Sequence, residues 1–260
     1  MSTKITAELV KELRDATGVS VMQCKVALEE AEGDKEKALI ILKKKSSSIA
    51  MKKSDRTASD GLIVAMEGAG KVVLLTLHSE TDFVAKNEEF VQLANTLTKM
   101  AMDSGVESMQ AASADMINPL IQKIGEKIEL GKVEEIAGGT LGVYVHNGKS
   151  AVVTVLEGGE ASLAKDIAMH IAAMKPAYVQ ASDITDEEKQ KVMEVFEREV
   201  AESDKPEEIK KKMLEGKINT YFKEQTLMDQ PFIKNPDLTV GRLLTEKKAK
   251  LIKFVKESIG

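Results

Sequence analysis

The chain has 260 residues, 43% hydrophobic and 30% charged, with one Cys, three His, no Trp, six Phe and three Tyr. That length accommodates two modest domains, and the composition excludes both a membrane protein and a disordered chain. One cysteine cannot form an intramolecular disulfide, and no cluster of Cys and His has the spacing of a structural zinc site. The first ten residues lack the uninterrupted apolar core of a signal peptide, and no stretch approaches the roughly 18 apolar residues of a membrane span. A folded cytoplasmic protein is expected. The formal charge of −5 is unevenly spread: residues 1–56 carry 12 Lys or Arg against 9 Asp or Glu, a head of +3 before a body of −8. Such a head permits an RNA contact, but the acidic body opposes the broad phosphate-binding surface of a dedicated nucleic-acid binder.

Three short helices are expected over residues 1–45. Ile5, Leu9, Val10 and Leu13 recur at helical spacing, with Thr6 as N-cap and Gly18 as stop. Ser20 and Gln23 make a capping-box pattern ahead of Val21, Val26, Ala27 and Leu28, and Asp34 caps a third helix through Ala38, Leu39, Ile41 and Leu42. Residues 46–60 are rich in Ser and Lys and read as a basic linker, with no aromatic residue to stack a base. Strands at 62–66 and 71–78 flank Glu-Gly-Ala-Gly, a hairpin signature. A helix follows with Phe90, Leu93, Ala94, Leu97, Met100 and Ala101 on one face, then a second helical stretch over 111–127.

The same order returns with strands at 142–145 and 149–156 around Asn147-Gly148, then a helix carrying Leu163, Ile167, Ala168, Ile171 and Met174. Leu93, Ala94, Leu97 and Met100 match Ile167, Ala168, Ile171 and Met174 at one constant offset of 74, a weak internal duplication. Thr185 and Glu188 form a capping box that opens a helix with a narrow stripe of Val192, Val195, Phe196 and Val200. Asp204-Lys205-Pro206 breaks it, and Ile209, Met213, Leu214, Ile218, Tyr221 and Phe222 mark its partner in an antiparallel hairpin. A last strand is expected over 251–255. The expected class is α+β, divided into a three-helix domain (1–45), a basic linker (46–60), a first core subdomain (61–140), a second (141–184 with 225–260) and a helical hairpin (185–224).

No catalytic constellation emerges. Cys24 sits among apolar neighbours and reads as buried and structural. His78, His146 and His170 show no metal-binding spacing. Gly68-Ala69-Gly70-Lys71 lacks the context of a phosphate-binding loop and reads as a turn. A binding or regulatory protein is favoured over an enzyme. Thr81-Asp82-Phe83-Val84-Ala85-Lys86, between a strand and a helix, sets an acid beside a bulky aromatic. An exposed Phe there makes a wedge for another protein's pocket.

Several segments resemble the elongation factor Ts family, guanine-nucleotide exchange factors of bacterial translation. They are Leu13-Arg14-Asp15-Ala16-Thr17-Gly18 with Met22-Gln23-Cys24-Lys25-Val26-Ala27-Leu28; Thr81-Asp82-Phe83-Val84-Ala85-Lys86; Lys123-Ile124-Gly125-Glu126; His170-Ile171-Ala172-Ala173-Met174-Lys175-Pro176; and Gln230-Pro231-Phe232. The resemblance implies a ubiquitin-associated (UBA-like) type of N-terminal domain, a two-part core and an inserted coiled-coil hairpin. It implies GDP-bound elongation factor Tu as partner and no cofactor of the chain's own. Thr81, Asp82, Phe83 and Val84 would dislodge the partner's magnesium. Val21 and Met22 would grip its GTPase domain, some relatives having two Met there. Ile124, Gly125 and His146 would touch the rest of the partner. Some members continue into a C-terminal helix that contacts the partner, which is expected to be missing here. In some relatives the hairpin packs against a second copy; the sequence leaves a homodimer or 2:2 complex open, as it does an RNA-associated adaptor role for the basic head.

Overall fold

The computed structural model describes residues 5–260; the first four, where the expected three-helix segment begins, lie outside the described residues. The chain forms two compact units. The first takes the described residues up to Ala137 with Val145–Ala151 and Glu257–Gly260; the second takes Gly138–Tyr144 and Val152–Lys256.

The first unit opens with α1 (Ala7–Thr17), α2 (Val21–Glu30) and α3 (Lys35–Lys52). Thr6, Ser20 and Asp34 side chains accept from the N–H groups of Leu9, Gln23 and Lys37, so all three anticipated caps form. Leu13, Val19, Cys24, Ala27, Leu28, Ala38 and Leu42 make a small core between the helices, and Cys24 is buried within it. The third helix does not end at 45 but runs through half of the segment expected as linker. Nothing between 43 and 52 breaks a helix, and tertiary contacts hold it: Ile49 and Ala50 pack against the next core, and Lys43 pairs with Asp115 at 2.6 Å.

β1 (Asp60–Gly68) and β2 (Lys71–Ser79) pair antiparallel across a two-residue turn, where Ala69 (φ 51°) and Gly70 (φ 72°) both take the left-handed conformation that such a hairpin needs. Then come a single turn α4 (Asp82–Ala85), α5 (Glu88–Ser104), α6 (Val106–Ile124) and β3 (Ile128–Ala137). β3 adds to β2 to complete a three-stranded antiparallel sheet. Val73, Leu75 and Leu77 of β2 face Phe90, Leu93, Leu97 and Ala101 of α5 and Met109, Ile117 and Ile121 of α6.

A second copy of the plan, most of it in the second unit, has β4 (Thr140–His146), β5 (Ser150–Glu157) and α7 (Ala161–Met174), followed by α8 (Asp186–Ala201), α9 (Glu207–Gln225), β6 (Pro231–Phe232), β7 (Asn235–Thr239), α10 (Val240–Glu246) and β8 (Lys250–Ser258). β8 joins β5, giving a second sheet in the order β4-β5-β8. The offset of 74 matches buried faces: Leu93, Ala94 and Leu97 are buried in one copy, Ile167, Ala168 and Ile171 in the other. In both copies a third strand arrives late and pairs with the second. In the second copy the α8–α9 hairpin and α10 stand where α6 stands in the first. A Cβ at Gly142 would collide with the backbone of Ala164 and Lys165, so glycine allows β4 to lie directly on α7. α8 and α9 run antiparallel along a thin seam, with Phe196 edge-on to Tyr221 at 5.8 Å and Lys217 bonded to Glu199 at 2.5 Å.

His170, on α7, is fully buried and ties two distant motifs together. Its Nδ1 accepts from Ile233 N–H (3.2 Å), which leaves Nε2 to donate to Gln230 Oε1 (2.9 Å); Phe232 lies against the ring. Burial disfavours the imidazolium and holds the His170 pKa below its ordinary 6.5. The unfolded chain therefore binds more protons than the folded one once the pH falls through that value. The stabilisation is complete above about pH 6.5 and is lost on acidification. Thermal unfolding followed from about pH 7.5 to 5.5 should show a falling midpoint whose slope in this window flattens in His170→Gln. An unchanged slope would mean that His170 titrates normally.

Candidate functional site

A helix of one turn does not persist alone, because nucleation costs more than one hydrogen bond returns. α4 is held from outside. Thr81 is its N-cap in extended conformation (φ −129°, ψ 157°), with Oγ1 accepting from Val84 N–H at 3.4 Å. Glu126, 45 residues later, grips Thr81 twice: Oε2 accepts from the backbone N–H (3.1 Å) and Oε1 from the hydroxyl (2.8 Å). Next to it the exchange is reversed, and Lys127 N–H donates to Glu80 Oε1 at 2.6 Å. That bond and the Arg56 guanidinium at 3.2 Å hold the Glu80 carboxyl below the usual range. Lys53, just past α3, donates to the Gly125 carbonyl at 2.6 Å.

On the inner side of α4, Val84 and Ala85 are buried in the first core. Phe83 points the other way and is 82% exposed, the one exposed aromatic side chain among the described residues. Asp82 beside it bonds Lys86 at 2.7 Å, which raises the Lys86 pKa above its ordinary value. The segment is therefore a single helical turn with a buried heel and an exposed ring.

The structure brings Ile124 and Gly125 next to this turn, because they precede Glu126 directly. Ile124 ends α6 half-buried against the same core, while Gly125 is exposed and left-handed (φ 86°), its N–H closing the helix onto Ile121 O. The remaining expected site residues stand on other elements. Val21 and Met22 occupy the first turn of α2, 52% and 68% exposed. Val21 borders a surface cavity of about 330 Å³ with Ile5, Val10, Lys11, Arg14 and Lys25. His146 is exposed at the β4–β5 hairpin, where Asn147 (φ 51°) and Gly148 (φ 66°) make the turn and Asn147 Nδ2 lies 3.4 Å from His146 Nε2. That tip is fastened to β1: Ile63 N–H donates to Gly148 O (2.7 Å), and Lys149 bonds Gly61 O (2.8 Å) and pairs with Asp60.

Glu80 and Glu126 brace the candidate site, and sequence reasoning passed over both. Glu126 lay inside a quoted motif, but no spacing rule joins residues 45 apart. Among the described residues no three or more His, Cys, Asp or Glu gather to hold a metal ion, and no helix is long and apolar enough to cross a membrane.

The family model described as Elongation factor TS matches residues 80–260, a span that opens at Glu80 and takes in the whole clamp. Among curated relatives, elongation factor Ts of Thioalkalivibrio sulfidiphilus is 41% identical over 270 residues, covering 98% of this chain and 92% of that protein. The protein of that name from Saccharophagus degradans is 40% identical over 265 residues (98% and 91%), and that from Legionella pneumophila strain Lens 38% over 273 residues (100% and 93%). The chain belongs to the elongation factor Ts family. It is thus an elongation factor of protein biosynthesis, in a family of nucleotide-exchange factors.

The left-handed Gly125 can be tested directly. A Cβ there meets nothing within 4 Å, so the cost of Gly125→Ala is conformational alone, roughly 1 kcal/mol. The thermal midpoint should fall by about 2–4 °C. An unchanged midpoint would show that the left-handed cap is dispensable.

Proposed function

We propose that the chain binds the GDP-bound form of elongation factor Tu, dislodges the magnesium ion from its nucleotide site, and so releases GDP and lets GTP load. The observation that carries this reading is Phe83: a large apolar ring, 82% exposed on a braced turn beside a carboxylate, in a chain whose other aromatics are buried or half-buried. Water gains nothing from such a ring, and a partner's pocket does.

The partner's magnesium, when bound, would hold the nucleotide phosphates to its loops. The Phe83 ring would press between those loops, and Asp82 would bring a carboxylate to the edge of the site. Thr81 fixes the start of the turn and Val84 anchors its underside. Val21 and Met22 grip the GTPase domain, while Ile124, Gly125 and His146 touch the rest of the partner. No bond is made or broken by the chain, so no catalytic side chain is required of it. Linkage makes nucleotide weaken the factor's binding as much as the factor weakens the nucleotide's, so arriving GTP ejects the factor. We read the three-helix cluster as UBA-like and the α8–α9 pair as a coiled-coil hairpin, the element through which a second copy would dock in a 2:2 complex. The place of action is the cytoplasm, where translation runs.

The RNA-adaptor alternative loses ground on one point. Lys43, Lys45, Lys53 and Arg56 of the basic head are turned onto Asp115, Glu30, the Gly125 carbonyl and Glu80 of the chain itself.

Stopped-flow release of fluorescent GDP from elongation factor Tu tests the reading. Phe83→Ala, which removes no core contact, should slow factor-stimulated release by roughly tenfold or more with the thermal midpoint unchanged. A wild-type release rate in this variant would sink the wedge role. Asp82→Asn should lose most activity when magnesium is present; equal losses with and without magnesium would assign Asp82 to packing instead.

A further inference from the structure

Resting on the exchange reading above, we propose that Glu126 is a positioning residue of nucleotide exchange: by holding Thr81 it fixes the turn that presents Phe83. Three observations carry this. α4 has four residues, so its conformation must be imposed by its surroundings. Both oxygens of the Glu126 carboxylate are engaged by one residue, the N-cap, through its N–H and its hydroxyl. Charged acceptors make the stronger hydrogen bonds, and two of them to one residue fix its backbone and its side-chain rotamer together. Because the Thr81 hydroxyl proton is committed to Glu126, its lone pairs are left to face Val84 N–H, the first bond of the turn.

The neighbouring residues do not duplicate this hold. Ser79 Oγ donates to the Thr81 carbonyl (2.9 Å), and Glu80 receives Lys127 N–H, but neither touches the N–H or the hydroxyl of Thr81. The Asp82–Lys86 pair is exposed and lies along the turn itself, so it follows α4 without orienting it against the core. Glu126 does not need to reach the partner. It acts through Thr81 on where the Phe83 ring stands, and as the residue after Gly125 it ties the Ile124–Gly125 surface to the same point.

The test is GDP release from elongation factor Tu, measured against factor concentration for wild type, Glu126→Ala and Glu126→Gln, each also in the Phe83→Ala background. Loss of an N-cap hold should lower the saturating rate of Glu126→Ala by roughly fivefold to thirtyfold. The half-saturating concentration should stay within about twofold. Glu126→Gln should recover part of the rate, since its amide oxygen still accepts from Thr81 N–H. With Phe83 already removed, Glu126→Ala should cost nothing further. Amide hydrogen exchange at Val84 and Ala85 should quicken in Glu126→Ala, a readout that needs no partner.

An unchanged saturating rate overturns the proposal, as does a loss that appears only in half-saturation or one that adds fully to that of Phe83→Ala. Should Glu126→Ala fail to fold, Glu126→Gln is judged by the same criteria. If the wild-type chain does not accelerate GDP release, the exchange reading fails and this proposal with it. If wild type is active and Glu126→Ala equals it, the positioning role alone fails.

Discussion

Residues 80–81 and 126–127 exchange hydrogen bonds in both directions: Glu126 holds the N–H and hydroxyl of Thr81, and Glu80 holds the N–H of Lys127. These bonds close the gap between the end of β2 and the end of α6, two points that the strand and helix ladders leave open. Each partner is a carboxylate accepting from backbone, so the pairing satisfies polar groups that would otherwise sit half-buried without partners. With the ends fixed, Val84 and Ala85 can seat in the core. Phe83 lies between Asp82 and Val84 and is exposed, against the general preference of Phe for burial.

The internal duplication sharpens the point. In the first copy eight residues separate β2 from α5; in the second, three separate β5 from α7. The difference is the stretch that forms α4. A strand can feed its covering helix through three residues, as Gly158, Gly159 and Glu160 do in the second copy, so the longer connection is not needed to build the sheet-and-helix unit. Compact loops longer than the fold requires are where binding function collects. The second copy spends its extra length elsewhere, on α8 and α9 between its helix and its third strand, where α6 stands in the first.

What was legible in the sequence was local. Thr6, Asp34 and Thr185 declare their helices because a cap acts over three residues, and Asn147-Gly148 declares its hairpin because two positive φ angles are needed there. β3 was not legible: Glu129, Glu134, Glu135 and Gly131 are poor strand formers on their own. Pairing with β2, the Lys71–Glu135 bridge at 2.7 Å and the room that Gly131 leaves for the His78 ring make a strand of it. The packing of residues 46–52 was not legible for a similar reason, since Ser-Lys composition suggests a tether until Ile49 and Ala50 are seen against a core formed by residues far along the chain. In the site, Phe83 and its exposure could be read, and the brace beneath it could not, because Glu126 stands 45 residues from the Thr81 that it holds.

A braced wedge also bears on how the factor holds its partner. α3 runs without interruption from the three-helix core to the α5–α6 core, with Lys43 on Asp115 and Asn118 Nδ2 bonded to Ser47 Oγ (3.3 Å) along its length. Val21 and Met22 therefore belong to the same compact unit as Phe83. Under the exchange reading proposed above, two contacts on one unit would raise each other's effective concentration, and less ordering entropy would remain to be lost when the second engages the partner. A flexible linker at 46–60 would have given reach and little leverage. A helix and a clamp would give leverage, letting binding energy gathered at α2 act at the ring instead of ordering the factor itself.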